Sequence, residues 1–311
     1  MARGFALVAV AAALWGSDGL FRRGLALELP AAVVVFVEHA ILVLVTLPLL
    51  WRGLRAARAL DRRDWTALIM VGVGASAAAT VLFTQAFVYG DPNTPILLQK
   101  LQPFFAVAGA RFLLGERLLP RYGVYFLFGV AGAYLIAFPQ PSQATVSAFA
   151  PAALAVAAAI LWGLGTVLGR HLTSKISFKE LTALRFAVGL PAAAIILAVQ
   201  GQAPALSGIG VEQSLALVLL ALVPGLLALL VYYRGLGETP AAAATLAELA
   251  FPLSAVTVNY IAFGATLSAS QWAGLVILSA TIVVMGLASA RGSRAVGIEL
   301  GAPKRRLLGQ A

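Results

Sequence analysis

Ten mostly apolar runs decide what this 311-residue chain can fold into: residues 4–22, 30–51, 65–88, 93–114, 120–138, 148–169, 178–199, 211–233, 239–263 and 270–290. Each is near the roughly 20 residues a helix needs to cross the hydrocarbon core of a bilayer. A strand of a lipid-exposed barrel needs about ten residues of strict alternation, which these runs do not show. In lipid the backbone must satisfy its hydrogen bonds within its own segment, so each run predicts a helix. The connections are short and hold much of the Pro, Gly, Asp and Arg, so neighbouring helices are expected to run antiparallel. No stretch is long enough for a separate soluble domain. The first run follows Arg3, is long for a leader and lacks a small-residue cleavage site, so it is expected to stay as an uncleaved helix.

Composition narrows the function classes. The chain is 61% hydrophobic and 11% charged, against about 45–50% and 25% in soluble domains. Soluble enzymes, disordered chains and collagen-like chains are thereby excluded. Cysteine is absent and the only histidines are His39 and His171, so no disulfide framework, thiolate site or histidine-rich metal site is expected. No cofactor is implied. A net charge of +10 would suggest nucleic acid in a soluble protein. Here the basic residues alternate between connections. One set of loops and termini holds Arg3; Arg52, Arg55, Arg58, Arg62 and Arg63; Arg117 and Arg121; Arg170, Lys175 and Lys179; Arg234; and Arg291, Arg294, Lys304, Arg305 and Arg306. That is 17 of the 22 basic residues, and the opposite set holds only Arg22 and Arg23. By the positive-inside rule both termini are cytoplasmic, in a multi-pass protein of the bacterial inner membrane with no nucleic-acid partner.

The chain repeats itself. Ala11-Ala12-Ala13-Leu14-Trp15-Gly16 recurs as Ala158-Ala159-Ile160-Leu161-Trp162-Gly163, 147 residues on. Gly90-Asp91 matches Gly237-Glu238 at the same offset, and Leu101-Gln102-Pro103-Phe104 matches Ala250-Phe251-Pro252-Leu253 at 149. Five helices per half put the second half into the membrane from the opposite side. The expected fold is therefore an all-α membrane protein of ten transmembrane helices, arranged as two inverted five-helix repeats around a central cavity. The expected divisions are residues 1–144, 145–291 and a basic cytoplasmic tail, 292–311. One chain suffices for this architecture, and a dimer is compatible with it.

Leu-Trp-Gly near the start of each half, a proline within the fourth and ninth runs, and Phe112-Leu113-Leu114-Gly115-Glu116-Arg117-Leu118 after the fourth resemble the drug/metabolite transporter superfamily. The EamA-type exporters, and within them the YddG-type exporters of aromatic amino acids, are the nearest likeness, over residues 4–290. The resemblance implies a solute cavity lined by the first, third, fourth, sixth, eighth and ninth helices, and alternating access without ATP.

Polar residues inside apolar runs mark functional positions, because burying them in lipid is costly. Gln99, Lys100, Gln102 and Pro103 cluster in the fourth run, Glu248 and Pro252 in the ninth. Lys100 is a candidate for a substrate carboxylate or for a structural acid. Glu248 is a candidate for a substrate ammonium, a coupling proton or the partner of Lys100 or Arg185. Trp15 and Trp162 lie well inside their runs, as stacking surfaces for a planar substrate or as packing anchors. Phe83, Gln85 and Tyr89 are further cavity candidates, with Tyr232 and Tyr233 beside them. Pro103 and Pro252 are the candidate hinges. Glu38 and Arg185, 147 residues apart, are expected to be structural and are candidates to pair. Asp61 and Asp64 read as a helix cap.

The absence of a Gly-x-x-x-x-Gly-Lys-Ser/Thr loop argues against an ATP-driven pump, and no nucleophile motif accompanies either histidine, so no enzyme is expected. The expected activity is export of small organic solutes, amino acids with an aromatic or apolar bias, by alternating access. A passive channel, an exporter of other metabolites or drugs, and a non-transporting receptor are the competing readings.

Overall fold

The computed structural model describes residues 2–89, 91–116, 118, 121–140, 146–236, 238 and 246–295. The repeat glycines Gly90 and Gly237, the loop residue Arg117 and most of the expected tail, 296–311, lie outside the described residues.

Among the described residues all regular structure is helical. In chain order the helices are α1 (Ala2–Gly16), α2 (Asp18–Glu28), α3 (Ala31–Val45) and α4 (Leu47–Ala57). Next come α5 (Arg62–Tyr89), α6 (Asn93–Leu98), α7 (Gln102–Leu114) and α8 (Tyr122–Ala137). Then follow α9 (Val146–Thr173), α10 (Phe178–Val199), α11 (Val211–Gly235), α12 (Ala250–Phe263) and α13 (Ala269–Ala295).

The expected ten crossings in two inverted five-helix repeats are corrected by this geometry. Six stretches of described helix are long and apolar enough to cross a bilayer: Arg3–Glu28, Arg62–Tyr89, Phe149–Thr173, Phe178–Val199, Val211–Gly235 and Ala269–Ala288. A seventh is reached only by joining α3 to α4, which bend by 82° at Thr46. The fold is an all-α bundle with up to six or seven membrane spans. Apolar run length is blind to the breaks that make the difference. The run 93–114 is interrupted by a 3₁₀ turn at Gln99–Leu101. The run 120–138 forms a 16-residue helix, and of 239–263 the longest described helix is the 14-residue α12.

The bend after α3 has a local cause. The Thr46 hydroxyl donates to the Leu42 carbonyl at 2.6 Å, and Pro48 at the start of α4 lacks the amide that would continue the ladder. Beyond it α4 mixes exposed Leu47, Trp51 and Leu54 with Arg52 and Arg55, the composition of a helix lying at a membrane surface. The proline positions also differ from expectation. Pro103 stands in the first turn of α7, and Pro252 is the third residue of α12. First-turn amides have no intrahelical acceptor, so proline costs nothing there.

Many bulky side chains face outward, and small ones line the helix crossings. Phe112 is 84% exposed and Val199 82%, whereas Ala11, Ala12, Ala155, Ala158 and Ala159 are buried. That pattern suits a bundle bathed in lipid, where helices associate by close backbone approach. α1 packs on α11 and α12, α9 on α5 and α7, α10 on α3, and α8 on α13. Two crossings are equivalent. A Cβ on Gly16 would meet Ser254, Ala255 and the Phe251 carbonyl, and one on Gly163 would meet Phe105, Ala106 and the Gln102 carbonyl. α5 and α11 each contain a π-helical stretch, Met70–Ala78 and Ala221–Leu227. Pro224 cannot donate to the α-helical ladder, which accounts for the second.

Ion pairs gather several connections at one end of the bundle. Asp61 and Asp64 form a reciprocal cap, as their spacing predicts. Asp64 also accepts from Lys175 at 2.5 Å and sits 2.9 Å from His171, while Arg170 pairs with Glu116. Hydrogen bonding to Asp64 holds the Lys175 ammonium above its ordinary value, and the Asp64 amide holds the Asp61 carboxyl below its own. The lysine's contribution is full below its unfolded pKa and lost as pH rises through the raised folded one. The aspartate's is full above its unfolded pKa and lost as pH falls through the lowered folded one. Lys175→Ala should therefore lower the melting temperature between about pH 4 and 10. The difference from wild type should shrink outside that window; a pH-independent difference would show that the charges are not its cause.

Candidate substrate-binding site

The sequence puts a tryptophan at the same place in α1 and α9, and both rings are half-buried rather than enclosed. Trp15 packs on Tyr232 of α11 with ring centroids 4.9 Å apart, and the Tyr232 hydroxyl donates to Glu248 Oε1 at 2.6 Å. Trp162 meets Phe83 of α5 edge-on at 5.1 Å. Phe251, in the first turn of α12, belongs to the same apolar cluster as Trp15, Trp162 and Phe83. The Lys100 ammonium lies 4.0 Å from the Phe251 ring centre, a cation held against an aromatic face. The 3₁₀ turn Gln99–Leu101 presents that lysine. Gln102 donates to the Thr166 hydroxyl at 3.0 Å, and Thr166 in turn bonds the Trp162 carbonyl at 2.9 Å.

Six of the nine predicted site residues therefore join in one neighbourhood: Trp15, Phe83, Lys100, Gln102, Trp162 and Glu248. Gln85 and Gln99 are half-buried, and their side chains make no hydrogen bond to the described residues. Tyr89 is 49% exposed near the end of α5 and stands apart. Lys100 has no carboxylate within ion-pair reach among the described residues, Glu248 included. The glutamate oxygen goes to Tyr232 instead.

Beside this neighbourhood lies a charged cluster that the sequence did not reveal. Arg22, counted from the sequence as a loop residue, is a helix residue of α2 with its side chain 4% exposed. Its guanidinium bonds Asp18 at 2.6 and 2.8 Å, Glu38 at 3.2 and 3.3 Å and the Thr84 hydroxyl at 2.8 Å. Glu38 is thus paired with Arg22 and not with Arg185, whose guanidinium lies 5.8 Å from the Phe186 ring centre. The i, i+4 spacing of Asp18 and Arg22 was the available signal. His39 bonds the Val35 carbonyl and Ser76, a packed histidine. Asn259 donates to Asn93 at 2.8 Å, tying α12 to α6.

At the other end from the Asp64 cluster, an open cleft of about 490 Å³ is lined by Arg23, Asp91, Pro139, Phe263 and Gln271 among others. Arg23 lies over Phe263 at 4.6 Å, and Asp91 caps α6 and accepts from Gln271 at 2.8 Å.

The profile of the EamA-like transporter family matches residues 2–138 and again 150–287. The riboflavin transporter ImpX of Fusobacterium nucleatum is 29% identical over 294 residues, 90% of this chain and 96% of its own length. A riboflavin transporter of Rhizobium johnstonii is 29% identical, covering 83% of this chain and 82% of the relative. One from Brucella anthropi is 26% identical over 83% of this chain and 88% of its own. A crystal structure of a protein at 20% identity superposes with a TM-score of 0.60 over 96% of this chain and 99% of that one, a likeness of fold alone.

Proposed function

The chain belongs to the EamA-like transporter family, and on that premise we propose that this small-molecule secondary transporter carries a planar heteroaromatic solute of the riboflavin type. The observation that carries the reading is the pair of half-buried tryptophans, with Phe83, Phe251 and Tyr232 beside them and the Lys100 ammonium among them. Apolar walls with a few placed polar groups suit a small-molecule site. Stacked rings would hold the isoalloxazine, Lys100 would donate to its carbonyls, and Gln99 and Gln102 would meet the polyol. The riboflavin transporters among the relatives support this choice.

In the proposed mechanism the site opens to each side in turn. The breaks before Pro103 and Pro252 let α7 and α12 tilt against α9 and α1. Residues 1–144 and 145–291 act as two related units. The double profile match and the equivalent crossings at Gly16 and Gly163 support that division. The arginine-rich stretch at residues 52–63 supports placing the Asp64 end in the cytoplasm.

The test is flux in proteoliposomes, with riboflavin and the twenty amino acids offered in parallel and in both directions. Saturable riboflavin flux is expected; saturable amino-acid flux without riboflavin flux would overturn the substrate. Riboflavin should quench tryptophan fluorescence on binding. Trp162→Ala should weaken its binding about tenfold, the value of one lost aromatic contact plus buried area. An unchanged affinity would reduce Trp162 to a packing anchor.

A further inference from the structure

We propose that Asp18, Arg22 and Glu38 form a proton-binding site that couples transport to a pH gradient. With both carboxylates ionised the triad carries one net negative charge. The exposures of its side chains are 4% for Arg22, 7% for Glu38 and 15% for Asp18. An unneutralised charge at that depth is costly. One proton, shared by two carboxylates that titrate as a pair, removes it. Glu248 also carries one negative charge, but it is a single carboxylate bonded by the Tyr232 hydroxyl and not a pair that can share a proton.

The contacts also define an order of access. Asp18 is the least enclosed member and begins α2 just past Ser17, where the first span is interrupted. It is the side from which water reaches the triad. Glu38, from α3, has the longer contacts to Arg22, at 3.2 and 3.3 Å. Thr84 of α5 adds a neutral hydroxyl, and Gly225 of α11 presents no side chain. Among the described residues His39 of α3, bonded to Ser76, stands next to the cluster, and Arg185 of α10 lies beyond it, within electrostatic range of that histidine. His39 lies within electrostatic range of Glu38, Arg22 and Arg185.

The triad reaches the substrate neighbourhood through one ring. The Arg22 guanidinium lies 5.7 Å from the Phe83 ring centre, and Phe83 meets Trp162 edge-on. A solute that shifts Trp162 displaces Phe83 and, with it, the guanidinium that neutralises the carboxylates. The proton comes from water on one side, forms an O–H bond on the carboxylate pair, and returns to water on the other side when that bond breaks. No other reactant is needed.

The link to transport rests on the proposed solute; the proton site does not, and the experiment separates the two. Infrared difference spectra of the purified protein across a pH step, without solute, should show a protonated-carboxyl band. Glu38→Gln and Asp18→Asn should each remove or shift it. A band unchanged in both variants, or no band in wild type, would overturn the site. In proteoliposomes one proton per solute sets a solute ratio of about tenfold for each pH unit of gradient. That ratio should fall to about one in Glu38→Gln. Wild-type flux indifferent to the gradient would overturn the coupling. Absence of riboflavin flux would overturn the substrate and leave the spectra to decide the proton site. If neither variant folds, a dye in weakly buffered detergent should report proton exchange when riboflavin binds the wild type. Binding with no exchange would overturn the coupling.

Discussion

Arg22→Ala should lower folding stability by about 3–5 kcal/mol, the cost of leaving a buried ion pair half-made. The guanidinium has five N–H bonds, and the five contacts to Asp18, Glu38 and Thr84 account for all of them. Removing it leaves two carboxylates facing each other with no cation between them. Arg22→Lys should recover only part of the loss, because an ammonium has three donors and no planar fork. Adding Glu38→Gln to Arg22→Ala should also recover part, because it removes one of the stranded charges. Thermal and denaturant unfolding in detergent measures all three. A loss below about 1 kcal/mol for Arg22→Ala would place the triad among exposed ion pairs of little consequence and contradict its burial.

Gly163→Ala should cost about 1–3 kcal/mol and reduce flux beyond what that loss explains. A Cβ at Gly163 would stand 2.8 Å from Phe105 Cβ and 2.9 Å from the Ala106 nitrogen and the Gln102 oxygen. Two of those atoms are backbone, so no rotamer change relieves the contact, and α9 must move off α7. That shift separates Trp162 from Gln102, which is why flux suffers with stability. Gly16→Ala should behave alike, since its Cβ would meet the Ala255 nitrogen at 2.8 Å and the Phe251 oxygen at 2.9 Å. Gly24→Ala is the control. Nothing lies within 4 Å of its Cβ, and alanine favours the helix by about 1 kcal/mol. Wild-type stability and flux in Gly163→Ala would show that the crossing tolerates separation.

Much of the candidate site was legible in the sequence because a polar or aromatic residue inside an apolar run has few uses. Lys100, Glu248, Trp15 and Trp162 stood out on that ground, and all four lie in the neighbourhood that also holds Phe83. Tyr89 did not join them: it was singled out by residue type alone, and its place near the end of α5 leaves it exposed. Partner choice was less legible. The matching positions of Glu38 and Arg185 made them candidates to pair, yet sequence distance says nothing about which guanidinium arrives first. Arg22 arrives from α2, four residues after the aspartate that orients it. Arg22 was hidden because two adjacent arginines near a run's end look like a loop signal, when one of them turns inward and the other lines the cleft at Arg23.

Hydropathy and charge placement were enough to predict a helical membrane protein, and the Leu-Trp-Gly of each half with the residues after the fourth run carried the resemblance to transporters of small solutes. These are properties of one segment at a time, and lipid imposes them on any chain of this composition. The number of helices long enough to span was settled only by three-dimensional packing. Breaks at Thr46 and Gln99–Leu101 depend on which hydrogen bonds neighbouring turns and helices leave open, and an apolar count does not register them. The same holds for the site. Which rings stand beside Lys100 follows from how closely α1 approaches α12 at Gly16 and α9 approaches α7 at Gly163, and which carboxylates share Arg22 follows from how α2, α3 and α5 meet, distances that no single segment contains.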